Sequence, residues 1–268
     1  MNTEITKRIM KMMMTKTIGK INNFESDLRK LIEEKIVNDC ADWKKILLPI
    51  LTSEEGLKTA KIIAHERSKM KIFPLSDDVF NAFKYCPYDK LKVVIIGNEP
   101  YAGEMNGKPQ AHGLAFSYKK SNELDTHIPY SLENILKEVE NDIYDGLQLP
   151  PPLTDLTRWA EQGVLLINST WTIQKGEVRS HFKLWDNITK EFLKKLSNTN
   201  SGIIYVLWGN DAKSYKEYIN TKSNFILEAS HPAVERHGKN KGFFGCKHFS
   251  QINKILKENN GEDYTILW

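Results

Sequence analysis

Two hydrophobic patterns divide the chain. Before residue 91 the apolar positions recur at helical spacing, as in "NFESDLRKLIEEKIV" and "ADWKKILLPILTS". "SEEGLKTAKIIAHERSKM" predicts a further helix, with Ser53 as its N-cap and acids in the first turn, where the helix dipole favours them. "SDDVFNAFKYC" repeats that plan with Ser76. From residue 91 the pattern changes. "LKVVIIG", "VLLINS", "GIIYVLWG" and "FILEAS" are short, nearly continuous apolar runs rich in Val and Ile, the mark of strands buried in a parallel sheet. Helical patterns separate them: "SLENILKEVENDIY" capped by Ser131, "TDLTRWAEQ" closed by Gly163, "DNITKEFLKKLSN" capped by Asp186, then "NDAKSYKEYI" and "HFSQINKILKENN". Alternating strands and helices predict an α/β fold, a three-layer α/β/α domain around a central, mostly parallel four-stranded sheet, with an N-terminal helical arm. The expected divisions are a disordered stretch over 1–20, the arm over 21–71 packed on the domain, and the domain over 72–268. "LQLPPPLTD" reads as a stiff loop inside that domain.

Composition narrows the class without choosing a function. Hydrophobic content of 40% and charged content of 27% describe a soluble globular protein. A chain of 268 residues buries enough apolar surface to need no disulfide staple. The net charge of +4 permits a nucleic-acid partner without demanding one. Cys40, Cys86 and Cys246 are odd in number and form no CxxC, so they read as inert packing residues of a reducing compartment. No apolar stretch approaches the roughly 18 residues of a spanning helix, and "MNTEITKRIMKMMMTKTIGK" has no apolar core of a secretion signal. The expectation is a protein with no membrane partner, cytoplasmic, or nuclear if its source is eukaryotic or viral.

Candidate chemistry follows from the fold class. In an open parallel sheet, ligands bind beyond the carboxyl ends of the strands. The residues there are Asn98, Glu99, Pro100 and Tyr101 after the first run, Asn168 at the end of the second, Asn210 and Asp211 after the third, and His231 and Pro232 after the fourth. The loop "GNEPYAGEMNGKPQAHGLAFS" is not a P-loop: its glycines are too close together, and Pro109 stands where a Ser or Thr should meet magnesium. No HExxH or paired histidine spacing speaks for zinc, and no GxSxG for a serine nucleophile. What remains is a carboxylate, a carboxamide and a histidine at three strand ends, with aromatic residues near. Asn168 carries a donor and an acceptor on one flat group, which matches the edge of a nucleobase. Phe116 or Tyr101 would stack on its face. A carboxylate beneath a base suggests chemistry at the bond joining base to sugar, and an enzyme doing this on DNA must first swing the nucleotide out of the stack. From pattern alone this is one reading among several.

The same residues carry a resemblance. "GNEPYAGEMNGKPQAHGLAFS" resembles G-Q-D-P-Y-H-G-x-x-Q-A-H-G-L-x-F-S, the catalytic loop of the uracil-DNA glycosylases shared by bacteria, eukaryotes and large DNA viruses. "SLENILKEV", "WAEQGVLLINSTWTI", "SHFKLWDNIT", "VLWGNDAK" and "SHPAVERHGKNKGFFGCKHFSQIN" are similar to further family blocks and follow in family order. The resemblance implies removal of uracil from single- or double-stranded DNA by base flipping, the first step of base-excision repair. It implies that Asn168 reads the base edge, Phe116 stacks on it, Tyr101 blocks the methyl group of thymine, and Asn98 lies at the uracil. His231 would hydrogen-bond the oxygen on which charge grows, and Glu99 would stabilise the cationic sugar and orient water. Ser131, Ser230 and the glycine-rich backbone near Gly209 and Gly242 would hold phosphates; beside the DNA-facing loop Lys239 and Lys241 read as further phosphate contacts, and Arg236 as a residue that either intercalates or binds phosphate. The reaction needs no metal and no cofactor. A monomer is expected, with a proteinaceous inhibitor or a replication partner as further partners.

Departures from the family pattern cluster at the site. Glu99 replaces an aspartate, and a carboxylate displaced by about 1 Å can cost about a hundredfold in rate. Ala102 replaces a histidine and Asn98 a glutamine. The loop after His231 is longer than in the family, with Val234, Glu235, Arg236 or His237 near its tip in place of the family's leucine wedge. "GEMNGKPQ" also contains an insertion. These departures keep a second expectation in view: a glycosylase fold retained for gripping DNA or a partner, with activity weak or lost.

Overall fold

The computed structural model describes residue 8 and residues 21–120, 125–147, 154–237 and 242–268, without the side chains of 21–24, 236 and 237. The disorder expected over 1–20 therefore lies outside the described residues, except at Arg8, which pairs with Glu34 at 3.2 Å. From residue 21 on, the described residues form first three α-helices, α1 (Ile21–Cys40), α2 (Lys44–Leu51) and α3 (Glu54–Arg67). The α3 start is as expected: the Ser53 hydroxyl accepts the Gly56 N–H at 3.1 Å, with Glu54 and Glu55 in the first turn. Then follow α4 (Asn81–Tyr85), β1 (Val93–Gly97), α5 (Tyr130–Ile143), α6 (Thr157–Ala160), β2 (Val164–Asn168) and α7 (Phe182–Thr199). The chain closes with β3 (Ile204–Trp208), α8 (Asn210–Lys213), β4 (Phe225–Ala229) and α9 (His248–Asn260).

The four apolar runs form one four-stranded sheet in the order β2-β1-β3-β4, with every neighbouring pair parallel. Every residue of β1, β2 and β3 is buried. Most of β4 is not. β2 at one edge of the sheet is fully covered and β4 at the other is not, so this run, expected to be buried, is partly open. Two short antiparallel ribbons lie outside this sheet. Ile72–Phe73 pairs with Ile173–Gln174, and Glu104–Met105 turns back onto Lys108–Pro109.

The arm is a wall of the core. Ile36, Cys40, Trp43, Ile46, Leu47 and Leu51 belong to the same buried cluster as the strands. The Trp43 indole N–H donates to the Cys86 carbonyl at 2.7 Å, and the Thr59 hydroxyl to the Leu184 carbonyl at 3.0 Å. Burial pushes the Cys40 and Cys246 thiols up to about 12, which agrees with packing residues that do not react.

Three expected helix starts are wrong. Pro129 holds the cap position of α5, and Ser131 falls inside the first turn. The short α4 begins at Asn81, so Ser76 caps no helix there; the Asn81 amide instead donates to the Asp78 carboxylate at 3.0 Å and the His112 carbonyl at 2.8 Å. α7 starts a turn earlier than expected, at Phe182. Asp186 inside it pairs with Lys190 at 2.8 Å and accepts from the Tyr215 hydroxyl at 2.9 Å.

Candidate active site

The sheet register brings the first two strand ends together. Gly97 and Asn168, the last residues of β1 and β2, are paired across the strands. A Cβ on Gly97 would overlap Asn168 Oδ1 and lie 3.0 Å from Ala115 Cβ and 3.4 Å from the Phe116 ring. The Asn168 carboxamide therefore lies over the bare glycine, beside Phe116. Asn168 is only 8% exposed, yet among the described residues its amide has no hydrogen-bond partner. An amide so placed in a folded core is costly unless something else pairs with it. Its free donor and acceptor are what a ligand of the same flat pattern needs.

Aromatic groups frame that amide. Phe116 adopts φ of 62°, and its carbonyl accepts the Tyr101 hydroxyl at 2.8 Å. This fixes the two rings relative to each other, and burial pushes the Tyr101 phenol well above its ordinary range. The Phe116 ring lies 5.6 Å from Trp208 and 5.9 Å from His231, centroid to centroid.

His231 follows β4. Its Nδ1 accepts the Ala233 N–H at 3.1 Å, so a neutral imidazole carries its proton on Nε2. Burial pulls its pKa below the ordinary histidine value, with the Asp211 charge opposing in part. The ring is thus held neutral, with one nitrogen left as a donor. Gly209 makes room for it: its φ is +90°, and a Cβ there would stand 2.8 Å from His231 Cβ. The backbone beyond is tied to α5. Asn134 donates its amide to the Pro232 carbonyl at 2.8 Å. Buried Glu138 accepts the N–H groups of Gly245 at 2.8 Å and Lys247 at 3.0 Å. Glu235 faces inward and accepts the Phe243 N–H at 2.8 Å, so it does not stand at an outward tip. Val234 is the exposed apolar side chain of that turn.

Glu99 is the carboxylate of the site. One oxygen accepts the Arg179 backbone N–H at 2.8 Å. Burial raises its pKa; the Arg179 bond and charge oppose this, and the Asp211 charge adds to it. Ala102, where the resemblance would place a histidine, packs beside Phe73, Ala111 and Ile173. Asn98 is set by its backbone: its carbonyl accepts the Thr170 N–H at 2.9 Å and the Ser169 hydroxyl at 2.8 Å. Its side-chain oxygen is buried without a partner among the described residues.

Asn98, Glu99, Tyr101, Phe116, Asn168 and His231 therefore share one end of the sheet. Ser131 lies in the first turn of α5, the helix that holds the loop after His231. Ser230 donates its N–H to the Gly242 carbonyl at 3.1 Å. The Arg236 side chain, Lys239 and Lys241 lie outside the described residues. His112 is structural: its Nε2 meets the Ser117 hydroxyl at 2.7 Å, and that oxygen also accepts the Leu156 N–H. His181 is buried between the Thr172 hydroxyl and Glu66. Among the described residues no group of three or more acidic, histidine or cysteine side chains is arranged to hold a metal. No described helix is long and apolar enough to cross a membrane. Arg179 was missed in the sequence. Its left-handed backbone has no local signature, and nothing in "GEVRSH" marks it.

Comparison with known proteins identifies the family and the fold. The model of the Uracil DNA glycosylase superfamily matches residues 83–257. A uracil-DNA glycosylase of Fusobacterium nucleatum is 41% identical over 222 residues, covering 82% of this chain and 92% of the relative. Uracil-DNA glycosylase 1 of Listeria innocua is 39% identical over 220 residues, covering 81% and 93%. The crystal structure of mimivirus uracil-DNA glycosylase superposes with a TM-score of 0.74 at 26% identity, covering 85% of this chain and 86% of that one. A variant mimivirus UNG in complex with UGI gives 0.74 at 25% identity, covering 85% and 87%.

Proposed function

The chain belongs to the uracil-DNA glycosylase superfamily, and from that premise we propose how its strand-end site works. It hydrolyses the bond between uracil and deoxyribose in DNA and leaves an abasic site. The Asn168 amide donates to uracil O4 and accepts from N3–H; cytosine presents the reverse pattern and leaves both pairs facing like groups. Phe116 lies against the base, and Tyr101, pinned through its hydroxyl, closes the space at carbon 5 against a methyl group. His231 donates from Nε2 to uracil O2, where negative charge accumulates as the C1′–N1 bond breaks. Glu99 faces the cationic sugar. With one oxygen held by Arg179, the other orients a water molecule and takes its proton as the water oxygen bonds to C1′. Asn98 shapes the pocket floor through its backbone. Ser131, Ser230, Arg236, Lys239 and Lys241 hold the phosphates on either side and position the strand without reading its sequence.

The observation that carries this reading is the nearly buried Asn168 amide, unpaired among the described residues and laid over Gly97. Gly97→Ala tests it. The new Cβ overlaps Asn168 Oδ1, so uracil release in single turnover is expected to fall about a hundredfold, with the fold intact by circular dichroism. A native-like rate would separate Asn168 from base reading. No observation favours the inactive DNA-gripping alternative, since carboxylate, amide and neutral histidine share one sheet end.

Acidity should act on one side only. Burial raises the Glu99 pKa, so its carboxylate is lost as pH falls through a value above the ordinary one. Burial lowers that of His231, so its neutral form persists to more acid pH than usual. The single-turnover rate is expected to be flat through neutrality and to fall on the acid limb. A rate that rises as pH falls below neutrality would contradict a carboxylate mechanism.

The substrate is uracil-containing DNA. The shared site comes from one chain, so a monomer suffices. The mimivirus complex makes UGI the probe for a protein partner, with a stable one-to-one complex as the expected result. The place of action is wherever the cell keeps its DNA, the cytoplasm in a bacterium.

A further inference from the structure

Above Glu99, the turn between Gln174 and Phe182 is built around one residue. Arg179 has a backbone φ of 61°, a left-handed conformation that side chains other than glycine, asparagine and aspartate seldom take. Its own side chain holds it there. The guanidinium donates to Asp211 Oδ2 at 2.8 Å, in α8 beyond β3, and lies 4.3 Å from the centre of the Phe182 ring. Its carbonyl accepts the Phe182 N–H at 3.2 Å, and upstream in the turn the Gly176 N–H donates to the Ala102 carbonyl at 3.0 Å. The strained backbone leaves one N–H aimed out of the turn, and that N–H meets Glu99 Oε2 at 2.8 Å. We infer that Arg179 is a positioning residue for Glu99: anchored to Asp211 and Phe182, it presents its backbone N–H so that one carboxylate oxygen is fixed and the other is delivered to the reacting sugar.

The need for such a residue follows from the side chain it serves. Glutamate has one more rotatable bond than aspartate, so a free Glu99 would spread over several rotamers. A single N–H bond at a fixed point selects one. The charges acting on Glu99 come from two elements: Arg179 on the turn and Asp211 on α8, of opposite effect. The ion pair between them lets Arg179 offset Asp211 as well as hold the turn. Both partners of that pair are about half exposed, so its worth lies in geometry more than in Coulomb energy.

The inference rests on Glu99 acting as the water-orienting carboxylate, and the test keeps the two apart. Native chain, Glu99→Gln, Arg179→Ala, Arg179→Gly and Arg179→Lys would be compared by single-turnover uracil release across pH, with KM for uracil-containing DNA measured alongside. Arg179→Ala is expected to lose roughly ten- to a hundredfold in rate, with KM within about twofold of native and the acid limb moved to higher pH. The limb moves that way because the bond and the charge that hold the Glu99 pKa down are lost. Arg179→Gly carries no strain at this φ, so the turn still folds. With the backbone N–H still in place and only the charge lost, it is expected to show a smaller shift of the limb and a smaller loss of rate. Arg179→Lys, able to reach Asp211, should recover most of the activity. If the Glu99→Gln variant is as active as the native chain, the role of Glu99 itself fails. If Glu99→Gln is inactive while Arg179→Ala and Arg179→Gly keep the native rate and limb, only this inference fails. A loss confined to KM would make Arg179 a phosphate contact and overturn it equally.

Discussion

Asn168→Leu is expected to lower single-turnover uracil release by about a thousandfold or more, the scale on which a hydrogen-bonding site rejects a mismatched partner, while the melting temperature stays at or above native. The two halves of this result have one cause. In the unliganded protein the amide makes no hydrogen bond among the described residues, so leucine of similar volume breaks none. Replacing an unpaired, nearly buried polar group by an apolar one of like shape is neutral or stabilising. Once the base is bound, the same change leaves uracil O4 and N3–H facing hydrocarbon. Thermal melting and single-turnover release on one preparation measure both halves. A variant within tenfold of the native rate would remove Asn168 from base reading.

Glu99→Gln is the second large effect. The amide keeps the length of the side chain and can still accept the Arg179 N–H, so position is preserved and charge is lost. The rate is expected to fall about 10²–10³-fold, as when one preorganised electrostatic group is removed from a transition state. Stability should move the other way. The folded Glu99 pKa is raised by burial, so its favourable contribution is present below the unfolded pKa and lost as pH rises through the folded one. At neutral pH the native chain therefore carries an ionised group that burial disfavours, and glutamine does not. Melting at pH 7 is expected to be no lower in the variant, and the two curves should converge in acid. A variant that keeps the native rate would show that charge at this position does not matter to the sugar.

Much of the fold was legible because burial wrote it into long runs. β1, β2 and β3 are unbroken apolar stretches, and the segments of α1, α2 and α3 carry helical periodicity. Strand ends then located Glu99, Asn168 and His231 from the rule that ligands sit beyond them. Starts of helices were less legible. A serine or aspartate is a cap only if the backbone enters the helix there, and packing decided otherwise at Ser76, Ser131 and Asp186. β4 was read as buried from its composition, but what packs over a strand is not a property of its own residues. Arg179 was illegible for a further reason. Its conformation is held by a distant partner, Asp211 in α8, together with the Phe182 ring at the start of α7.

The pairing of Gly97 with Asn168 divides the site into two kinds of part. The amide proposed to read the base is set by strand register, and a slip of one residue would turn it to the other face of the sheet. Glu99, Ala102 and the stretch after His231 stand on connections that the sheet does not dictate, and every departure from the family pattern falls on those connections. For an engineer, the edge contact made by the amide and the catalytic rate are then separate dials. The connections around Glu99 and Arg179 can be rebuilt to change speed with the Asn168 amide left in place, provided that Tyr101 and Phe116, which stand on a connection themselves, keep the hydrogen bond that pins them.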